Sequence, residues 1–236
     1  MTGPALRSVF FDVGNTLIYA HPSVSEVCRQ VLARAGHIRD LQVIDRLMPL
    51  VDAYYEDRYR ADDTFWTSEE ETSSVWVGMY SMLCRELGIH EDAAVLARAV
   101  YDEFESAERW RLYDDVVPAF ERARARGLRV GIISNWDSRL VRLMHALGVS
   151  GLLDTVVSSA DVGLRKPDPR IFELACANVG VSPAESAHVG DHVYADVLGA
   201  SAAGMRAVLI DRHGTGDQDG PVPIRSLDDL EDALGL

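Results

Sequence analysis

The feature that most limits the possible folds is the alternation of short apolar segments with helical segments after residue 114. Four apolar segments predict strands, and the amphipathic segments around them predict helices. The predicted strands are residues 129–133, 155–157, 187–189 and 206–210, and the predicted helices are residues 116–126, 138–147, 169–179 and 194–203. Since helices that connect parallel strands cover both faces of a sheet, the pattern predicts an α/β fold with a doubly wound parallel sheet.

A long helical stretch interrupts this pattern near its beginning. Residues 8–11, SVFF, predict a buried strand that ends in a polar turn. From residue 19 to residue 108 the apolar spacing is helical throughout, and Ser23 followed by Glu26 predicts the start of the first helix. We therefore expect a core domain formed by residues 1–18 and 109–236, with an inserted helical domain at residues 19–108.

The charge balance restricts the partners of the chain. Its 236 residues include 37 acidic and 23 basic side chains, for a formal net charge of −14. This charge argues against nucleic acid or an anionic membrane as a partner. No apolar run approaches the roughly 18 residues that cross a bilayer, and the first residues do not resemble a signal peptide. The three cysteines are odd in number and far apart, which disfavours a disulfide framework. We expect a cytoplasmic protein.

Three carboxylates follow predicted strands. Asp12 comes directly after the first strand, and Asp191 and Asp196 come after the strand at residues 187–189. A single aspartate in such a position often only caps the next helix. However, the carboxyl ends of parallel strands meet at one edge of the sheet, and clustered carboxylates are typical of a Mg²⁺ site.

A hydroxyl and an ammonium group are expected at the same edge. Ser134 and Asn135 follow the strand at residues 129–133, and Lys166 lies in the loop after the strand at residues 155–157. Lys166 is the sole lysine in the chain, against 22 arginines. A compact ammonium fits between a carboxylate and a phosphoryl group, whereas the planar guanidinium of arginine does not. His188, inside a predicted strand, is expected to pack in the core.

With these residues the sequence resembles the haloacid dehalogenase-like superfamily of hydrolases. The first motif is FFDVGNTL at residues 10–17, and the second is IISN at residues 132–135. The third is KPD at residues 166–168, and the fourth is VGDHVYAD at residues 189–196. The inserted helices resemble the type-one cap of this family. The resemblance implies a Rossmann-like core, a helical cap and hydrolysis of a small phosphorylated metabolite.

The resemblance also implies three catalytic roles. Asp12 corresponds to the nucleophile that forms an aspartyl-phosphate, which water later hydrolyses. Ser134 corresponds to the donor of a hydrogen bond to a phosphoryl oxygen. Lys166 corresponds to the cation that neutralises charge on Asp12 and on the transferred group.

A metal site and a substrate site are implied by the same motifs. The cofactor of the family is Mg²⁺, which prefers a few hard oxygen ligands. The implied ligand set is Asp12, the backbone carbonyl of Gly14, Asp191 and Asp196. The implied substrate contacts are Gly14, Asn15 and Asn135.

The sequence departs from the family at Gly14. Phosphatases of the family carry a second aspartate at this position, which protonates the leaving group and then activates water. Glycine offers no such group, and the neighbouring Asn15 does not exchange a proton at neutral pH. General acid–base catalysis contributes about 10²- to 10⁴-fold. Efficient hydrolysis of alkyl phosphates is therefore in question.

The sequence is compatible with several functions. One is a slow or selective phosphatase that acts on acyl or aryl phosphates, and another is a phosphatase in which His21 or a cap residue supplies the proton. A third is a regulatory protein that binds phosphate and Mg²⁺ without turnover. The Asp191 and Asp196 pair argues against a 2-haloacid dehalogenase. Phosphonoacetaldehyde hydrolases use a cap lysine, and residues 19–108 contain none.

Overall fold

The computed structural model describes residues 4–214 and 221–236. It contains two compact units, one formed by Met1–Tyr19 with Leu112–Leu236 and the other by Ala20–Arg111. The chain passes between them in two short strands that pair with each other, β2 (Ile18–Ala20) and β3 (Trp110–Leu112).

The first unit is built on a five-stranded parallel sheet. Its strands are β1 (Ser8–Phe11), β4 (Arg129–Ser134), β5 (Thr155–Ser158), β6 (Ser186–Gly190) and β7 (Arg206–Leu209). They lie in the order β5-β4-β1-β6-β7, and every pairing is parallel. The chain builds the sheet outward on one side of β1 and then on the other, which places the topological switch point beside β1. The predicted doubly wound α/β fold is confirmed.

Helices cover both faces of this sheet, as the apolar strands require. Successive strand residues point to opposite faces. Phe10 belongs to a buried cluster with Phe172 of α8 (Pro169–Asn178), whereas Phe11 packs against Phe120 of α5 (Val116–Ala125) with a ring-centroid distance of 5.1 Å. The other helices of this unit are α6 (Leu140–Ala146), α7 (Ser159–Val162), α9 (Gly199–Ala202) and α10 (Leu230–Leu234).

The helix predicted at residues 194–203 differs in its first half. Val193–Leu198 forms a π-helical segment, and only Gly199–Ala202 is α-helical. Within the wider turn, the carboxylate of Asp196 bends back and accepts a hydrogen bond from the backbone N–H of His192 at 3.0 Å. Wider helical turns of this kind are frequent at functional sites.

The second unit is helical, as predicted for the insert. Its helices are α1 (Val24–Arg34), α2 (Leu41–Ala61), α3 (Glu69–Glu86) and α4 (Ala93–Glu103). Ser23 caps α1 by accepting from the N–H of Glu26. Both cysteines of this unit are buried, and burial raises the pKa of Cys28 to about 12 and that of Cys84 to about 11. These thiols are therefore not nucleophiles at neutral pH. Among the described residues, no helix has the length and apolarity to cross a membrane.

Candidate active site

The neighbouring strands β1 and β4 bring two predicted residues together. Asp12 directly follows β1, and Ser134 is the last residue of β4. Phe11 of β1 pairs with Ile132 of β4, so Asp12 and Ser134 both lie at the carboxyl edge of the sheet. Ser134 Oγ donates to Asp12 Oδ1 at 2.9 Å, and both residues are buried.

Lys166 reaches this pair from the loop between α7 and α8. Its Nζ donates to Asp12 Oδ1 at 2.5 Å and to Asp196 Oδ1 at 2.5 Å, and its side chain is 2 % exposed. Burial acts to lower the pKa of Lys166, but the charges of the two carboxylates outweigh burial and raise the pKa above its ordinary value. The ammonium group therefore stays charged between the two aspartates.

Asn135 fixes the backbone of the lysine. Its side-chain Oδ1 accepts from the backbone N–H of Lys166 at 2.8 Å, and its Nδ2 donates to the Lys166 carbonyl at 3.0 Å. The two bonds engage both polar atoms of the amide and hold the point from which the lysine side chain extends. The substrate contact implied for Asn135 stays a prediction.

Asp196 accepts three hydrogen bonds in the interior. Besides Lys166 Nζ, Oδ1 is bonded by Nε2 of His188 at 2.8 Å, and Oδ2 accepts from the backbone N–H of His192. Burial acts to raise the pKa of Asp196, but Lys166 and His188 together hold the pKa well below its ordinary range. A Cβ at Gly190 would lie 2.1 Å from Asp196 Cγ, so a residue without a side chain is required beside it.

Three carboxylates at this edge form a candidate metal site. Asp12, Asp191 and Asp196 each offer an oxygen, and these oxygens lie within 4.8 Å of one another. Burial and the charges of Asp12 and Asp196 raise the pKa of Asp191 well above its ordinary value, and the single ammonium of Lys166 offsets them only in part. A divalent cation would relieve this excess negative charge, and the all-oxygen donor set suits Mg²⁺.

The turn after Asp12 contains the two remaining predicted residues. Asn15 adopts a left-handed conformation with φ of 51°, and its N–H donates to the Ile18 carbonyl at 2.9 Å. A Cβ built on Gly14 would meet only Trp136 Cζ3, at 3.6 Å, which is an ordinary contact. The fold therefore does not require glycine at position 14. His21, the alternative proton donor, belongs to the helical unit.

A protein-family model described as haloacid dehalogenase-like hydrolase matches residues 6–204. The chain belongs to this family. The match includes β1, β4 and β6 and every site residue described above. It confirms the family that the four motifs indicated.

Two relatives and one solved structure show how this haloacid dehalogenase-like hydrolase compares with known proteins. A haloacid dehalogenase-like hydrolase domain-containing protein 3 from Danio rerio is 29% identical over 233 residues, covering 95% of each chain. A glyceraldehyde 3-phosphate phosphatase from Methanopyrus kandleri is 28% identical over 217 residues, covering 88% of this chain and 84% of the relative. The structure of a putative HAD-hydrolase from Bacillus subtilis bound to magnesium has a TM-score of 0.79 at 19% identity, covering 99% of this chain and 100% of that chain. This last likeness shows the shared fold.

The hydrolase site contains one residue whose contact the sequence did not predict. His188 packs edge-to-face against Phe172, as expected for a core residue, with a ring-centroid distance of 5.2 Å. It also contacts the carboxylate of Asp196. The available signal was a single imidazole in an otherwise small and apolar strand, two residues before Gly190 and therefore on the same face of the sheet.

Proposed function

We propose that this hydrolase is a Mg²⁺-dependent phosphatase that acts on small phosphorylated metabolites through an aspartyl-phosphate at Asp12. The observation that carries the proposal is the buried Lys166, bonded to both Asp12 and Asp196, beside a cluster of three carboxylates. Such a site combines a nucleophile with the positive charge that a transferred phosphoryl group needs. The similarity to a glyceraldehyde 3-phosphate phosphatase supports the same reaction class.

The proposed first step is attack by the Asp12 carboxylate on phosphorus. A bond forms between the aspartate oxygen and phosphorus, and the bond between phosphorus and the leaving-group oxygen breaks. Lys166 compensates the negative charge of Asp12 and of the phosphoryl oxygens, and Ser134 donates a hydrogen bond that orients the carboxylate. In the second step, water attacks phosphorus and the bond between phosphorus and the Asp12 oxygen breaks. The released phosphate carries both protons of the water as H₂PO₄⁻, and the Asp12 carboxylate is regenerated.

Asp12, Asp191 and the carbonyl of Gly14 would hold the Mg²⁺ ion, with Asp196 supporting them. When bound, the ion supplies charge compensation and orientation for the phosphoryl oxygens. Asp196 already accepts three hydrogen bonds, so its main contribution in this scheme is to position Lys166.

Gly14 sets the expected substrate preference. Because no carboxyl group stands there to protonate the departing oxygen, leaving groups that depart as stable anions react best. Acyl phosphates and aryl phosphates meet this condition without a general acid. We therefore propose that the enzyme prefers them to alkyl phosphates.

A screen of phosphate release across acyl, aryl and alkyl phosphates, with Mg²⁺ or with EDTA, tests this function. Release that requires Mg²⁺ and disappears in Asp12→Asn supports it, and Asp12→Asn that still folds serves as its own structural control. The second candidate is a binding protein without turnover, which the lack of an acid at Gly14 favours. In that case Mg²⁺-dependent thermal stabilisation by phosphorylated compounds would occur with no phosphate release.

A further inference from the structure

His188 occupies a position in β6 that packing alone does not explain. It pairs in register with Phe10 of β1 and Ala207 of β7 and is 0 % exposed. Its Nδ1 is buried and has no hydrogen-bond partner among the described residues. A buried nitrogen without a partner costs folding free energy. A phenyl ring would fill this place without that cost, so the imidazole needs another explanation.

The contact with Asp196 determines which ring nitrogen carries the proton. Oδ1 of Asp196 accepts from Lys166 Nζ and Oδ2 accepts from the backbone N–H of His192, so both carboxylate oxygens act as acceptors here. His188 Nε2 lies 2.8 Å from Oδ1 and must therefore be the donor. Nδ1 has no acceptor among the described residues, so Nε2 is the ring nitrogen that the surroundings supply with one.

The same oxygen of Asp196 receives the ammonium of Lys166. Oδ1 thus accepts two donors, His188 Nε2 at 2.8 Å and Lys166 Nζ at 2.5 Å. The His192 N–H holds Oδ2, and Gly190 leaves room for the carboxylate. Rotation of this carboxylate would displace Oδ1, and Lys166 could no longer bond Asp196 and Asp12 at once.

We propose that His188 is a positioning residue, which donates from Nε2 to Asp196 and thereby holds the Lys166 ammonium against Asp12. The kinetic consequence rests on the proposed function of the site. The geometric consequence, a displaced Lys166, does not depend on turnover.

The sole lysine of the chain makes the test direct. Protein labelled with ¹⁵N at lysine Nζ gives a single ammonium signal, which reports Lys166 alone. His188→Phe keeps a ring of similar shape beside Phe172 and removes the donor, whereas His188→Gln keeps an N–H that can reach Asp196. The signal is recorded for the full-length protein and both variants, together with their thermal unfolding, kcat and KM.

We expect the Lys166 signal to shift or broaden in His188→Phe. We also expect kcat to fall at least about tenfold, which corresponds to about 1.4 kcal/mol of transition-state stabilisation, with KM little changed. His188→Gln should recover most of the signal and of kcat. An unchanged Lys166 signal in folded His188→Phe would overturn the proposal. So would equal losses in both variants that follow a lower unfolding temperature, because those indicate a purely structural role.

A measurement on the unmodified protein remains decisive if neither variant folds. The ¹⁵N shifts of the His188 imidazole should show a hydrogen on Nε2. A ring protonated only at Nδ1 contradicts the proposal. If the unmodified protein releases no phosphate, the proposed function fails, while the lysine and imidazole signals still decide the role of His188.

Discussion

Restoring a carboxyl group at Gly14 should increase the turnover of alkyl phosphates. The structure accepts the change, because a Cβ at this position meets only the Trp136 ring, at 3.6 Å, and Gly14 is not among the residues with positive φ. The Gly14→Asp variant should therefore fold with an unfolding temperature close to that of the unmodified protein. Any change in rate then reports the added acid rather than damage to the fold.

The size of the gain follows from the chemistry of the added group. General acid–base catalysis contributes about 10²- to 10⁴-fold, which corresponds to about 3 to 5 kcal/mol of transition-state stabilisation. The full gain is expected only for poor leaving groups. Acyl phosphates, whose leaving groups depart as stable anions, should gain little.

The assay is the rate of phosphate release from matched alkyl, aryl and acyl phosphates at saturating Mg²⁺. Gly14→Asn is the control, because it adds similar volume without an ionisable group. We expect kcat/KM to depend steeply on the leaving group in the unmodified enzyme and weakly in Gly14→Asp. Folded Gly14→Asp that binds Mg²⁺ but hydrolyses alkyl phosphates no faster would refute this prediction, as would an equal gain in kcat/KM for Gly14→Asn.

Three further variants test other parts of the structure. Gly190→Ala should reduce thermal stability, because its Cβ would lie 2.1 Å from Asp196 Cγ. The displaced Asp196 should lower activity by about 100-fold. Gly151→Ala, where a Cβ would have no neighbour within 4 Å, should change neither quantity in the same assays. Lys166→Arg should lose most phosphate release despite keeping its charge, since the planar guanidinium does not fit the buried space between two carboxylates; activity near the unmodified level would contradict that geometry. Burial acts to raise the pKa of Asp115. However, hydrogen bonds from the Arg212 guanidinium, the Ser226 hydroxyl and the backbone N–H of Leu227 hold this pKa below its ordinary value. This group therefore stabilises the fold above about pH 4, and that contribution is lost as the pH falls further. Chemical denaturation between about pH 5 and about pH 2 should show that the free energy of unfolding falls less steeply with pH in Asp115→Asn than in the unmodified protein. An equally steep fall in both proteins would refute this role of Asp115.

The strand-end rule explains why much of the site could be predicted. Parallel strands end at one edge of a sheet, so residues that follow β1, β4 and β6 converge whatever their separation in sequence. For this reason Asp12 and Ser134 are hydrogen-bonded although they are 122 residues apart. The position of Lys166 could not be predicted from periodicity alone, because this residue lies in a loop. The resemblance of residues 166–168 to a motif of the family indicated it.

The contacts of His188 could not be predicted in the same way. Periodicity assigns a residue to a face of a strand but does not say which side chain folds back to meet it. Here the π-helical segment Val193–Leu198 directs Asp196 toward β6, and nothing in the apolar pattern distinguishes that turn from an ordinary α-helix. The assignment of residues 19–108 as a cap, and the roles of the individual site residues, stay predictions.

The proposed mechanism depends most on the covalent role of Asp12. A single turnover with acetyl phosphate, quenched in acid and followed by peptide mass spectrometry, measures phosphorylation of this residue directly. We expect a phosphoryl group on Asp12 that forms only with Mg²⁺ and decays at the rate of phosphate release. Release of phosphate without phosphorylation of Asp12, or release that persists in Asp12→Asn, would contradict the account.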